Sequence, residues 1–162
     1  MPVTEPGFED LYEVSNLGRV RGKPRRIQAS NRVINYKQRL LRQNPDSRGY
    51  PQVVLCNETR RVTRTVHRLV LSSFVGDCPN GSVAMHINGI PYHCHLDNLK
   101  YGTQAENVRQ AIDDGYHNRS PLYEPKDWKQ VREKAKEYLR GLHEKDRAAR
   151  RADSREPLGG RG

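Results

Sequence analysis

The chain has 162 residues, 34% of them hydrophobic, with a mean hydropathy of −0.96. That is lean for a globular enzyme and allows one modest core with an appendage. No apolar run approaches the roughly 20 residues that a membrane span needs, and the acidic start "MPVTEPGFED" lacks the apolar stretch of a signal peptide.

Three cysteines, Cys56, Cys78 and Cys94, form no C-x-x-C pair. They argue against a disulfide framework or a zinc ribbon and fit a reducing cytoplasm. The net charge of +10 is unevenly spread, with four acids and no Lys or Arg over 1–18 but fourteen Lys and Arg against Asp46 and Glu58 over 19–68. A solvated face usually mixes signs, so a one-sided and mostly arginine block points to a polyanion, with Arg suited to bidentate phosphate contacts.

In chain order, "PGFEDLYEVSNLGRVRG" reads as short strands joined by a turn at "SNLG". Residues 22–48 are basic, with strand signals at "RRIQA" and "RVINYK", and end in the turn cluster "NPDSRG". "YPQVVLCN" and "RRVTRTV" flank "NETR" as a hairpin with alternating β-branched residues. "VHRLVLSSFVG" follows as a short helix, with Val66, Leu69, Val70 and Phe74 at helical spacing and Gly76 as its stop.

Next come two strands, "GSVAMHI" and the shorter "LDNLKYG", separated by a polar loop. Thr103 and Glu106 then form a T-x-x-E capping box for a helix closed by Gly115. The whole is a ββα unit. A linker over 116–125 leads to a helix over 126–151, where Trp128, Val131, Ala135, Tyr138, Leu139 and Leu142 line one face. That stripe should dock on the body or on a partner. The tail over 152–162 is expected to be disordered.

The ββα unit carries the chemistry. His86 ends its first strand, Asn98 lies in the second, and Asn107 sits in the second helical turn, able to face the hairpin. A neutral imidazole can serve as a general base near pH 7, and amide oxygens are hard ligands suited to Mg²⁺. A base beside a hard-cation site on a basic protein fits phosphodiester hydrolysis.

At these residues the chain resembles a known family. "VHRLVLSSFVGDCPNGSVAMHINGIPYHCHLDNLKYGTQAENVRQA" is similar to the HNH nuclease module of phage and intron homing endonucleases. "GFEDLYEVSNLGRVR" resembles the NUMOD type 4 motif, a DNA-binding element that often precedes it, and the likeness spans about residues 6–112. It implies an α+β fold: a small β-rich DNA-binding region over 6–50, a ββα-metal nuclease core over 51–115 and a C-terminal amphipathic helix. It also implies a DNA endonuclease using one divalent metal, with double-stranded DNA as partner, no membrane and no small-molecule cofactor. A monomer is expected rather than a dimer, in the host cytoplasm if the gene is phage-borne.

Carried over residue by residue, the resemblance makes His86 the general base. Asn98 becomes the final asparagine of the motif, in the catalytic and metal set, and Asn107 the metal ligand from the helix. Gly89 matches the loop glycine, and Lys100, Tyr101 and Thr103 fit the segment entering the helix. Arg19, Arg21, Lys23, Arg25, Arg26, Arg60, Arg61, Arg64 and Arg68 are expected to grip DNA, with Arg68 and Arg109 near the site.

The departures are also specific. Met85 stands before the base, where relatives often carry an acidic or histidine ligand, and a thioether suits Mg²⁺ poorly. Asn88-Gly89-Ile90 lacks the carboxylate of the usual turn, and His93-Cys94 replaces a pair of asparagines. Mg²⁺ remains the expected ion, held by Asn107 with help from His93 or His95, while Mn²⁺, Ni²⁺ or Zn²⁺ would suit a softer site. The alternative is a catalytically weakened, HNH-derived DNA-binding or regulatory protein. A third reading is a zinc-stabilised module built on His86, His93, Cys94 and His95. His67 reads as a structural histidine anchoring its helix to the hairpin.

Overall fold

The computed structural model describes residues 1–29, 32–115 and 127–153. The expected linker lies outside them, as does all of the expected tail except its first two residues, which belong to the last helix.

The N-terminal strands β1 (Tyr12–Val14) and β2 (Val20–Gly22) pair antiparallel, Tyr12 opposite Gly22. The Ser15–Gly18 turn joins them: Gly18 takes φ +74°, and the Ser15 hydroxyl accepts from the Arg19 N–H at 3.1 Å. β3 (Arg25–Ala29) and β4 (Arg32–Tyr36) form a separate two-stranded ribbon, and β5 (Arg39–Leu40) returns to pair with β2.

β6 (Asn44–Pro45), β7 (Pro51–Cys56) and β8 (Arg61–Thr65) make a second three-stranded sheet. β7 alternates buried and half-buried residues along its length, as a strand with one face on the core must. Both turns of this sheet are set by a side chain. Asp46 Oδ1 accepts from the N–H groups of Arg48 and Tyr50, and Asn57 Oδ1 from those of Thr59 and Arg60.

β8 runs directly into α1 (Val66–Phe74), whose inner face buries Val66, His67, Leu69, Val70 and Leu71. β9 (Ser82–His86) and β10 (Leu99–Thr103) then pair with His86 opposite Leu99. α2 (Gln104–Asp113) follows, with its capping box formed as expected: Glu106 N–H donates to Thr103 Oγ1 at 3.1 Å and Thr103 N–H to Glu106 Oε2 at 2.6 Å.

A single core crosses the boundary drawn from sequence at residue 50. Val3, Phe8, Tyr12, Val14 and Val20 pack in one cluster with Val53, Leu55, Val66, Leu69, Val70, Leu71, Cys94 and Leu99. Leu55 and Leu71 are fully buried, each contributing roughly 1.5–3 kcal/mol by leaving water. The Tyr12 hydroxyl fastens the two parts, donating to the Cys56 carbonyl at 2.9 Å and accepting from the Cys56 N–H at 3.0 Å.

The last helix, α3 (Trp128–Asp153), docks on the body. Ala135 and Leu139 are buried, and Tyr138 packs on the rings of Tyr92 and His93. Trp128, at the start of the expected stripe, is 42% exposed, one turn before Val131, which packs against Gly49. Among the described residues no helix is long and apolar enough to cross a membrane.

Candidate nuclease site

β9 delivers His86 to the mouth of the polar loop over 87–98. Gly89 turns the chain at φ +66°, its N–H donating to the His86 carbonyl at 3.1 Å. An amide pair closes the loop. Asn98 Oδ1 accepts from the Asn88 N–H at 3.1 Å, and Asn98 Nδ2 donates to Asn88 Oδ1 at 3.0 Å and to the His93 carbonyl at 2.9 Å. Asn98 is buried, and both ends of its amide face this loop. The structure therefore places Asn98 as the brace of the hairpin.

The His86 imidazole is also buried, at 8% exposure, and turned inward. Its Nε2 lies 3.9 Å from Cys94 Sγ, and its ring centroid is 5.0 Å from that of His67 and 5.7 Å from that of Tyr50. Burial, reinforced by His93 and His95, pulls the His86 pKa down to about 4. Burial, with His86 and Arg68 beside it, pulls His67 down to about 3. Burial pushes the Cys94 thiol up to about 12, against a backbone hydrogen bond from His67. At neutral pH all three are uncharged, which leaves both imidazoles free to accept a proton or bind an ion.

His67, His86 and Cys94 each offer a ligand atom, and these atoms lie within 4.8 Å of one another. This corrects the zinc set read from sequence. His93 turns away to pack edge-on against Tyr92, with Nδ1 3.0 Å from Asn88 Nδ2, and His95 is half-exposed, so His67 takes the place of both. Spacing could not reveal this, because His67 comes from α1 and Cys94 from the loop.

The residues expected to hold a hard cation fit it poorly. Met85 is buried, its sulfur so close to Gly102 that a β-carbon there would come within 2.6 Å of it. The Asn98 amide is engaged in the loop, leaving Asn107, one turn before Gln110 on α2, as the exposed amide. An anionic oxygen donor, which Mg²⁺ prefers, is missing from that set. Gln110, which drew no notice in sequence, fastens α2 to the site: its Nε2 donates to the carbonyls of His86 and Ile87, each at 2.9 Å.

The basic residues divide into two groups. Arg64 forms a bidentate pair with Glu5, both contacts at 2.6 Å, and Arg60 lies over the Phe8 ring near the same carboxylate. Arg21 pairs with Glu13 at 2.6 Å, Arg19 with Asp146 of α3 at 3.1 Å, and Lys23 donates to the Glu9 carbonyl. Arg25 is stacked between Tyr12 and Tyr36. The acidic N-terminal stretch thus neutralises part of the basic block. Arg26, Arg61, Arg68 and Arg109 stay exposed.

Comparison with known proteins divides the chain into two segments. Residues 2–56 match the family model of the NUMOD4 motif, and residues 64–109 that of an HNH endonuclease. No curated protein matches the chain. A solved structure described as "DNA binding and cleavage by the HNH homing endonuclease I-HmuI" is similar at 27% identity and a TM-score of 0.56, over 73% of this chain and 60% of that one. The chain thus spans less than two thirds of that relative's length. A NUMOD4 motif is thus followed by an HNH endonuclease segment, on a fold similar to that of an HNH homing endonuclease.

Proposed function

We propose that the protein is a DNA endonuclease in which His86 takes the proton from the water that attacks a phosphodiester. The observation that supports this best is the ββα unit itself. His86 stands at the end of β9, held from behind by Gln110 of the capped helix α2, within the segment that matches the HNH model.

His86 is neutral at pH 7, as a base must be, though burial makes it a weak one. Asn98 positions it by fixing the loop, and Asn107 presents its amide to the phosphate or its ion. The exposed cations Arg26, Arg61, Arg68 and Arg109 meet the DNA phosphates, with the β3–β4 ribbon as the reaching element. A divalent ion would be held through the Asn107 amide oxygen, and Mn²⁺, which accepts nitrogen donors more readily than Mg²⁺, is the first candidate beside two imidazoles.

Supercoiled plasmid incubated with Mg²⁺, Mn²⁺, Co²⁺ or Ni²⁺ should be nicked or linearised by the protein and not by its His86→Ala variant. Equal inertness of both proteins across all ions would end the nuclease reading.

A further inference from the structure

We propose that His67, His86 and Cys94 form a binding site for one thiophilic divalent ion of the Zn²⁺ class, and that filling it withdraws His86 from catalysis. The second half rests on the reading of His86 as the base.

The three donors come from α1, the end of β9 and the loop over 87–98, so an ion would tie together three elements of the site. In a tetrahedral zinc site, Zn–N near 2.0–2.1 Å and Zn–S near 2.3 Å put neighbouring donors about 3.3–3.8 Å apart. His86 Nε2 and Cys94 Sγ are already at 3.9 Å, and the whole set lies within 4.8 Å. Closure therefore needs movements of about 1 Å or less.

The donor set is also the right kind. Two imidazoles and a thiol select a soft or borderline ion over Mg²⁺. Both imidazoles are uncharged at neutral pH, so neither must lose a proton to bind. Cys94 alone deprotonates: the S–H bond breaks, an S–metal bond forms and one proton leaves per ion.

A second observation points to a ligand. His67 is 6% exposed, yet its Nδ1 is buried with no hydrogen-bond partner among the described residues. Buried polar nitrogens are rarely left so, and an ion on that nitrogen would satisfy it. Gly18 backs the Cys94 side of the set, its α-carbon so near the loop that a β-carbon would come within 2.7 Å of the Cys94 carbonyl oxygen.

Filling the site has a direct consequence. The lone pair that would take a proton from water is the one that binds the ion, so His86 cannot do both. Zinc would act as an inhibitor displaced by chelation, distinct from the ion that supports cleavage.

The test begins with the full chain stripped of metal and titrated with Co²⁺. One equivalent should bind and give a thiolate-to-cobalt charge-transfer band, which Zn²⁺ then abolishes. The band should be lost in Cys94→Ser and retained in Cys78→Ser, and His67→Gln should weaken binding by at least about tenfold. Circular dichroism checks that each variant is folded. If Cys94→Ser does not fold, wild-type protein alkylated at its exposed thiol alone serves instead and should keep the band. No band in the wild type, or a band unchanged in Cys94→Ser, overturns the site.

In the plasmid assay one equivalent of Zn²⁺ should suppress Mn²⁺-dependent cleavage at least about tenfold, reversibly on chelation, and should spare Cys94→Ser. Zinc bound at Cys94 with cleavage undiminished overturns the inhibitory half. A protein that binds cobalt through Cys94 yet cleaves nothing under any ion overturns the reading of His86 as base, and the inhibitory half with it, but leaves the ion site standing.

Discussion

The β3–β4 and β9–β10 ribbons have the same backbone: two antiparallel strands with five residue pairs each. Their surroundings are opposite. β9–β10 is held between α1 and α2, with Met85, His86 and Leu99 buried. Among the described residues β3–β4 pairs only with itself, and it shows Arg26, Arg32, Val33, Asn35 and Tyr36 to solvent. An isolated two-stranded ribbon is marginal in water, whereas one packed between helices holds its side chains rigidly. Chemistry needs groups fixed to a fraction of an ångström. Gripping a polyanion needs reach and charge. On the proposed function, each ribbon sits where its surroundings suit its task.

The comparison breaks most sharply at His86. His86→Ala should lower cleavage by at least about a hundredfold while DNA binding, measured by electrophoretic shift, stays within about twofold. A comparable loss of binding would mean that the β9–β10 ribbon also grips DNA.

Next in size is Asn98→Ala. It removes a buried amide that makes three hydrogen bonds inside the loop, to Asn88 and His93, at a cost of about 1–3 kcal/mol. The thermal midpoint should fall by roughly 5–10 °C. Arg26→Ala, on the other ribbon, should move it by less than about 2 °C.

Acid should find the packed ribbon before the exposed one. The folded pKa values of His67 and His86 are depressed to about 3 and about 4 from 6.5. Between those values and 6.5 the unfolded chain binds more protons than the folded one, so stability rises with pH across that window. The stability is complete above pH 6.5 and is lost progressively as the pH falls towards 4. A midpoint series on metal-free protein from pH 7.5 to pH 4 should fall steadily, and a flat series would place both imidazoles in water.

A double change on the exposed ribbon, Arg26→Ala with Arg32→Ala, should weaken DNA binding about tenfold at low salt and reduce the salt dependence by about two ions. Cleavage at saturating protein should be unchanged. The smallest effect is expected from Met85→Asp, a few-fold gain in cleavage with Mg²⁺ relative to Mn²⁺. It should come with lower stability, because position 85 is 2% exposed.

What the sequence makes legible is local. "RRIQA", the hairpin around "NETR", the nine-residue α1 and the Thr103–Glu106 box follow from alternation, helical spacing and turn residues, and all four appear within a residue or two. β5 and β6 are two residues each and are defined by pairing, β5 with the distant β2 and β6 with β7 across the Asp46–Tyr50 turn, so no periodicity announces them. The same holds at the site. The HNH resemblance points to His86, Asn98 and Asn107, but not to the meeting of Cys94 and His67 with His86. Arg64 reads as a DNA contact in sequence and proves to be held by Glu5 across 59 positions. A carboxylate that distant leaves no local trace.

The Ser15–Gly18 turn belongs to the NUMOD4 segment, yet it touches the site. The Asn16 carbonyl accepts from the Leu96 N–H at 2.7 Å, and Gly18 sits directly against Cys94 with no room for a β-carbon. Recognition and cutting elements joined by a tether alone would let the cleaved bond drift relative to the bound sequence. Here they touch backbone to backbone, so on the proposed reading the protein is a caliper, its NUMOD4 and HNH segments held at a fixed offset by the close approach of Gly18 to Cys94.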